Sequence, residues 1–591
     1  MARPRKRLTL ACDTCRSRRV KCDGQRPYCA PCRIRGLDCF YQQLPESPAT
    51  KVETELANVN LRLDYLTMLL SKQQPTPLVQ SHQGSASRTL LGSHEDSPFC
   101  LLATDSIMRV LGLDDGFARG LIRLERANLL IGATTPPGMF FFSQQQVTDA
   151  LAAFSDRIHG YYPILPLDFS EAYFATLSAP LAPSSRTCLV LLVAAIGCVA
   201  HDPETRGPYF DAALQSLPVV LAECTLTSIQ CLIFLSIYYC CLLKPCQAHD
   251  YCLIASFKIQ NLFKSGLQST DNDSLELTHR AYWAILLLES ELSVQLDVAK
   301  SDIWSLDEYT PLPNCRRTWH FPPQQSTTSS STITSASLAL AAAVSPASAH
   351  SADSITSTST TADQAQSFFL AEIAMRRMLH RCNWAITQSP EDGTHRYAPG
   401  IALELERQLD EWYGYLPPNI QFTRERERPE RQHQQEQVSS SPEQPCADRG
   451  GGVVGSLSNF LNVQYYCCKL SIYWPAVFQA MQDSGVPSAQ LLDHCQRFID
   501  SYVQLLPRIT FAVDDCMVYK WTLSVSFFTT TMAALKVLEA PSLAGASREA
   551  LHQCLSSAAT VDWRGTEASP SLGVLQRTLS ERLHEAGLGL G

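Results

Sequence analysis

The sequence predicts an all-α protein in two parts: a small module of two short helices gathered around metal ions, then a large helical body that follows a short coiled coil. Three observations carry this. Six cysteines form an evenly repeated array within the first forty residues, apolar residues recur at helical spacing over most of the remaining chain, and two low-complexity stretches have compositions that cannot fill a core. With 591 residues, 45% of them hydrophobic and 18% charged, there is ample chain for a sizeable core.

The array reads Cys12-x2-Cys15-x6-Cys22-x6-Cys29-x2-Cys32-x6-Cys39, and its two halves have the same internal spacing. Thiolates are the soft ligands that zinc accepts in closed tetrahedral sites, and a C-x2-C step sets two sulfurs on one metal. Two four-coordinate ions need more ligand positions than six sulfurs offer, so two sulfurs must bridge. The repeat singles out the first cysteine of each half, Cys12 and Cys29, as those bridges. Two zinc ions are therefore the expected cofactor, held by Cys12, Cys15, Cys22, Cys29, Cys32 and Cys39. A mononuclear ribbon or an iron–sulfur site built on Cys12, Cys15, Cys29 and Cys32 leaves Cys22 and Cys39 without a role. A module this small buries too little apolar area to fold alone, so metal binding supplies its folding free energy.

Charge divides the chain as sharply as cysteine does. Residues 1–41 carry eleven Lys and Arg against three Asp, a formal +8, so the chain total of −9 leaves −17 on the remaining 550 residues. A compact basic head on an acidic body is the asymmetry of a protein whose head meets a polyanion. Arg16, Arg18, Arg19 and Lys21 lie between Cys15 and Cys22. Held by metal ligands on both sides, they can offer Arg to guanine O6 and N7 in a major groove while neighbouring cations hold phosphates. Arg3, Arg5, Lys6 and Arg7 form a basic arm suited to phosphate contact and to nuclear import.

From Ala11 to Cys39 these residues resemble the fungal binuclear zinc-cluster family of transcription regulators. The resemblance lies in the six cysteines, in ACDTCRSRRVKC and in Pro27 of the connecting loop. It implies a helix after each C-x2-C step, base reading at Arg18 and Arg19, and CGG-type triplets as DNA half-sites. The body is similar to the family's middle homology region at FSDRIHGYYPILP (154–166), LVLLVAAIG (189–197) and RAYWAILLLESELSVQLDVAKSDI (280–303). In the last, Glu289-Ser290-Glu291 stands where many members have an Asp-Arg pair, and Asp297-Val298 replaces a common Gly-Arg. The resemblance implies a nuclear regulator of a biosynthetic gene cluster or nutrient-use pathway. Double-stranded DNA, transcription machinery or coregulators, and a small-molecule effector would be its partners.

Beyond the head, 1–41, a Pro-containing linker spans 42–50. Over 51–72 the residues Val52, Leu56, Val59, Leu63, Leu66 and Leu70 alternate by four and three, the a/d spacing of a short coiled coil that would make the chain a homodimer. A polar tether, 73–98, leads to the helical body, 99–314. Helical periodicity there marks 145–154, 187–199, 208–223, 226–243, 252–263 and 274–296. Ser, Thr and Ala dominate an insert at 315–367 and charged and Gln residues a second at 424–454, both expected to be disordered. Helical patterns resume over 368–423 and 455–591, giving one discontinuous helical domain.

Other functions are poorly supported. The chain has no G-x-S-x-G, H-E-x-x-H, Walker loop or dinucleotide fingerprint, and His159, His201 and His249 read as core or surface residues, so no catalytic residue is assigned. Leu226–Leu243 is an uncharged eighteen-residue run, but Thr227, Ser228, Gln230 and Ser236 dilute it and no second candidate accompanies it, so it reads as a buried core helix and not a membrane span. MARPRKRLTLA leads into no secretory signal, so the cysteines are expected to be reduced. The remaining alternative is a protein-binding scaffold or corepressor without its own sequence preference.

Overall fold

The computed structural model describes residues 13–18, 20–22, 29–37, 39, 105–130, 143–202, 208–266, 271–293, 298–314, 317–321, 353–385, 397–424, 453–482, 485–544 and 548–588. Among these there is no strand. Contacts divide the chain into two units, Met1–Glu55 and Leu56–Gly591. The heptad run 52–70, the tether, and residues 322–352 and 425–452 of the two inserts lie outside the described residues.

The described residues of the first unit form two short helices, α1 (Asp13–Ser17) and α2 (Ala30–Ile34). The second opens with α3 (Asp105–Val110), α4 (Phe117–Ala127), α5 (Gln144–Arg157), α6 (Phe169–Ser178) and α7 (Ser185–His201). It continues with α8 (Tyr209–Leu214), α9 (Leu217–Ala222), α10 (Leu226–Cys241), α11 (Pro245–Lys264) and α12 (Asn272–Ser293). After these come α13 (Asp353–Ala385), α14 (Pro399–Gly414), α15 (Val453–Gln482) and α16 (Ala489–Asp515). The last three are α17 (Lys520–Glu539), α18 (Arg548–Ala558) and α19 (Pro570–Glu585). The densest packing joins α15 to α16, α5 to α7, and α10 to both α7 and α11; α13 packs on α12 and α15, so the helices flanking both inserts share one core.

The expected helix over 208–223 is broken in two, because Pro218 cannot donate to the preceding turn and instead opens α9. The apolar run at 226 starts at a capping box, in which the Thr225 hydroxyl accepts from the Ser228 amide and Ser228 returns the bond. It stops short of Leu243, whose φ of +56° reverses the chain before Pro245 opens α11. Helix α10 is therefore 16 residues long and buried. Among the described residues, the segment long and apolar enough to cross a membrane is a different one, 517–539. Its apolar window is 89% buried, as befits a core helix.

The inserts are also smaller than their composition suggests. Trp319, assigned to the first, is 2% exposed and packs against Phe154, His159 and Phe169, with its indole N–H donating to the Ser170 hydroxyl. Helix α13 begins at Asp353, and Gln364 and Ala365 are buried. In the second, the Arg424 guanidinium lies 3.9 Å over the Tyr413 ring and pairs with Asp410, and α15 starts at Val453. Tertiary packing has recruited the edges of both stretches, which composition averaged over a window conceals.

Within LVLLVAAIG, Gly197 of α7 lies against α5, where a Cβ would overlap the carbonyl of Ala150. Gly197→Ala should therefore cost about 1–3 kcal/mol, read as a lower urea midpoint with unchanged m. Gly120→Ala, in α4 with open space around it, should cost nothing in the same assay.

Candidate metal centre and nucleic-acid interface

Among the described residues of the first unit the buried core is made of cysteines. Cys15, Cys29, Cys32 and Cys39 are 2%, 0%, 1% and 9% exposed, and among the described residues Val20, Cys22 and Leu37 pack against them as partly buried neighbours. Helix α2 starts from Cys29 in an extended conformation, with Pro31 in its first turn, where a missing N–H costs nothing. It ends at Gly36, whose φ of +60° lets the chain turn back so that the Leu37 amide donates to the Cys32 carbonyl at 3.0 Å.

These turns bring distant sulfurs together. Cys15 Sγ is 3.6 Å from Cys29 Sγ and 3.8 Å from Cys32 Sγ, and the three form a group with metal-holding spacing. With zinc–sulfur bonds of roughly 2.3 Å, the edge of a tetrahedral site is about 3.8 Å, so the pocket fits that ion without rearrangement. The Cys29 amide donates to Cys39 Sγ at 3.3 Å, tying the first cysteine of the second half to its last. Zinc supplies the cohesion that a hydrophobic core supplies elsewhere, and six thiolates with two zinc ions lower the module's formal charge by only two, leaving it strongly basic.

On the outside, Arg18 and Lys21 are exposed, and neither forms an ion pair among the described residues. The Ser17 hydroxyl closes α1 on the Thr14 carbonyl at 3.1 Å. Arg16 sits in α1, its side chain outside the described residues; Cys12, Arg19, the loop with Pro27 and the arm of Arg3, Arg5, Lys6 and Arg7 also lie outside them. Sequence reasoning missed Val20, Leu37 and Gly36. Their signal was in the repeat, since Val20 and Leu37 occupy matching places before Cys22 and Cys39.

His159, His201 and His249, singled out from the sequence, occupy unrelated places in the body. His159 is buried edge-on to Trp319, 5.0 Å between ring centroids, and burial pushes it down to about 3. Burial also lowers His249, whereas His201 is exposed at the end of α7. Body cysteines such as Cys198 and Cys516 are pushed up by burial, to about 11 and about 12, the behaviour of packing residues and not of nucleophiles.

Residues 10–47, which include all six cysteines of the array, match the model of the fungal Zn(2)-Cys(6) binuclear cluster domain. Over 591 residues the chain is 62% identical to a protein of Aspergillus rugulosus assigned as transcription factor ecdB, covering 99% of each. It is 34% identical over 105 residues to the citrinin biosynthesis transcriptional activator ctnR of Monascus purpureus, covering 16% of this chain and 18% of that one. With the transcriptional activator protein acu-15 of Neurospora crassa it shares 20% identity over 576 residues, 86% of this chain and 56% of the other. No solved structure matches. A full-length relative at this identity, together with the match of residues 10–47 and the buried group of Cys15, Cys29 and Cys32, establishes that the chain belongs to the fungal Zn(2)-Cys(6) binuclear-cluster family of DNA-binding transcription regulators.

Proposed function

We propose that this regulator acts in the nucleus as a homodimer, reads paired CGG-type triplets, and controls a biosynthetic gene cluster. The observation that carries the reading is the buried sulfur group of Cys15, Cys29 and Cys32 beside exposed Arg18 and Lys21, which form no ion pair among the described residues: a metal-rigidified helix end with its cations turned to solvent. In the proposed complex Arg18 and Arg19 meet guanine edges, while Arg16, Lys21 and the arm Arg3, Arg5, Lys6 and Arg7 hold phosphates. All six cysteines of the array hold the two zinc ions, with Cys12 and Cys29 bridging. The biosynthetic role follows from the likeness to ctnR, whose name states such a role. Dimerisation rests on the heptad of Val52, Leu56, Val59, Leu63, Leu66 and Leu70.

The test is selection from randomised duplexes with the full zinc-loaded chain. Enrichment of two CGG triplets at one fixed separation is expected, and no enrichment would favour the scaffold reading. On the selected duplex, Arg19→Ala should relax discrimination at one guanine by about 1–3 kcal/mol, whereas Arg3→Ala should weaken selected and scrambled duplexes alike. Deleting 52–70 should shift footprints from two half-sites to one; a retained two-site footprint would remove the coiled coil from the dimer.

A further inference from the structure

The two halves of the head are related by a constant offset of 17 residues, Cys12 to Cys29, Cys15 to Cys32 and Cys22 to Cys39. The offset persists in the folded backbone. The Val20 amide donates to the Cys15 carbonyl at 3.1 Å, the Leu37 amide to the Cys32 carbonyl at 3.0 Å, and both apolar side chains rest on the sulfur cluster.

Matched positions differ in an instructive way. Arg16 and Arg18 correspond to Arg33 and Arg35, so two arginines persist; Arg19 and Lys21 correspond to Gly36 and Asp38, so two cations are gone; Ser17 corresponds to Ile34. Arg33, Ile34 and Arg35 are all exposed, Ile34 at 81%, and no ion pair engages either guanidinium among the described residues. An exposed isoleucine between two uncommitted arginines is poorly suited to water. It suits a surface that alternates charge with apolar carbon, as phosphate alternates with deoxyribose along a nucleic-acid strand.

We propose that the second half of the zinc module is a backbone grip, in which Arg33 and Arg35 hold two phosphates of the bound duplex and Ile34 rests on the deoxyribose between them. Arginine's planar fork matches phosphate oxygens, and phosphate contacts fix register without reading sequence. The first half then reads bases from a position that the second half sets. This rests on DNA binding by the chain and is independent of the CGG assignment.

The experiment measures binding of the full zinc-loaded chain to its selected duplex and to a scrambled one, between 50 and 200 mM salt. The variants are Arg33→Gln with Arg35→Gln, and separately Ile34→Asp. Each phosphate contact contributes roughly 0.9 to the slope of log affinity against log salt, so over this fourfold range the wild type should lose about twelvefold more affinity than the double variant. Both variants should weaken the two duplexes by the same factor while zinc content stays at two per chain. Unchanged affinity and slope in both would overturn the grip, as would a loss confined to the selected duplex, which would make these residues base readers. Should the double variant lose zinc, Ile34→Asp decides alone, since it changes a side chain that touches neither the metal ligands nor the packed face. A wild type without sequence preference would defeat the CGG reading and leave this comparison intact on the scrambled duplex.

Discussion

Cys29→Ser should strip both zinc ions from the head and abolish DNA binding, whereas Cys39→Ser should leave one ion bound at stoichiometric zinc. Cys29 is fully buried, lies 3.6 Å from Cys15 Sγ, and sends its amide to Cys39 Sγ, so it touches ligands of both halves. Structural zinc contributes about 10–16 kcal/mol to modules of this kind, far more than any apolar contact Val20 or Leu37 can offer. Once both ions go, nothing remains to order α1 and its arginines. Metal analysis of the purified chain, with electrophoretic mobility shift on the selected duplex, reads both effects. One zinc and residual binding in Cys29→Ser would mean that Cys29 serves a single ion.

Arg376→Met should destabilise the helical body by about 3–5 kcal/mol at pH 8 and by less at pH 5. Arg376 of α13 is buried between two carboxylates, pairing with Glu291 of α12 and, at 3.3 Å, with Glu372 one turn earlier in its own helix. Gln464 of α15 approaches Glu291 at 3.5 Å, while Tyr162 and Tyr519, joined by a 2.9 Å hydroxyl contact, complete the surroundings. Two anions and one cation in a dry interior are an unequal match. Burial pushes the Glu372 carboxyl up to about 7; Arg376 pulls it down and Glu291 pushes it further up.

A raised carboxyl means that the folded protein keeps a proton the unfolded chain has released. In the wild type this group's contribution is therefore fully present below about 4.5 and is lost as pH rises through about 7, by on the order of 3 kcal/mol. Removing Arg376 takes away the one cation that restrains this loss, so the variant's stability should fall more steeply between pH 5 and 8. Glu372→Gln should flatten the wild-type slope. Urea denaturation across that interval tests both, and a Glu372→Gln protein with an unaltered slope would remove Glu372 from the account.

How much of this was legible in advance differs between the two units. For the head, ligand chemistry is written in spacing. A C-x2-C step and two matched halves specify which sulfurs can meet whatever surrounds them, because coordination geometry is local and strong. The surface cations were legible for the same reason, being bracketed by those ligands. The body's helices were legible where apolar periodicity was long, as in α7 and α12. They were misjudged where a single residue outweighed the pattern, at Pro218 between α8 and α9 and at Leu243 after α10.

The sequence by itself determined that a zinc-held basic head stands before an acidic helical body, since metal ligation, net charge and helical period are properties of short stretches. Only the tertiary structure decided which polar residues enter the core. Glu291, Glu372 and Arg376 lie far apart in sequence or look like an ordinary solvated helix face, and Trp319 sits at the edge of a low-complexity stretch. Their burial depends on three-dimensional neighbours, because the cost of a buried charge or an exposed indole is set by what surrounds it.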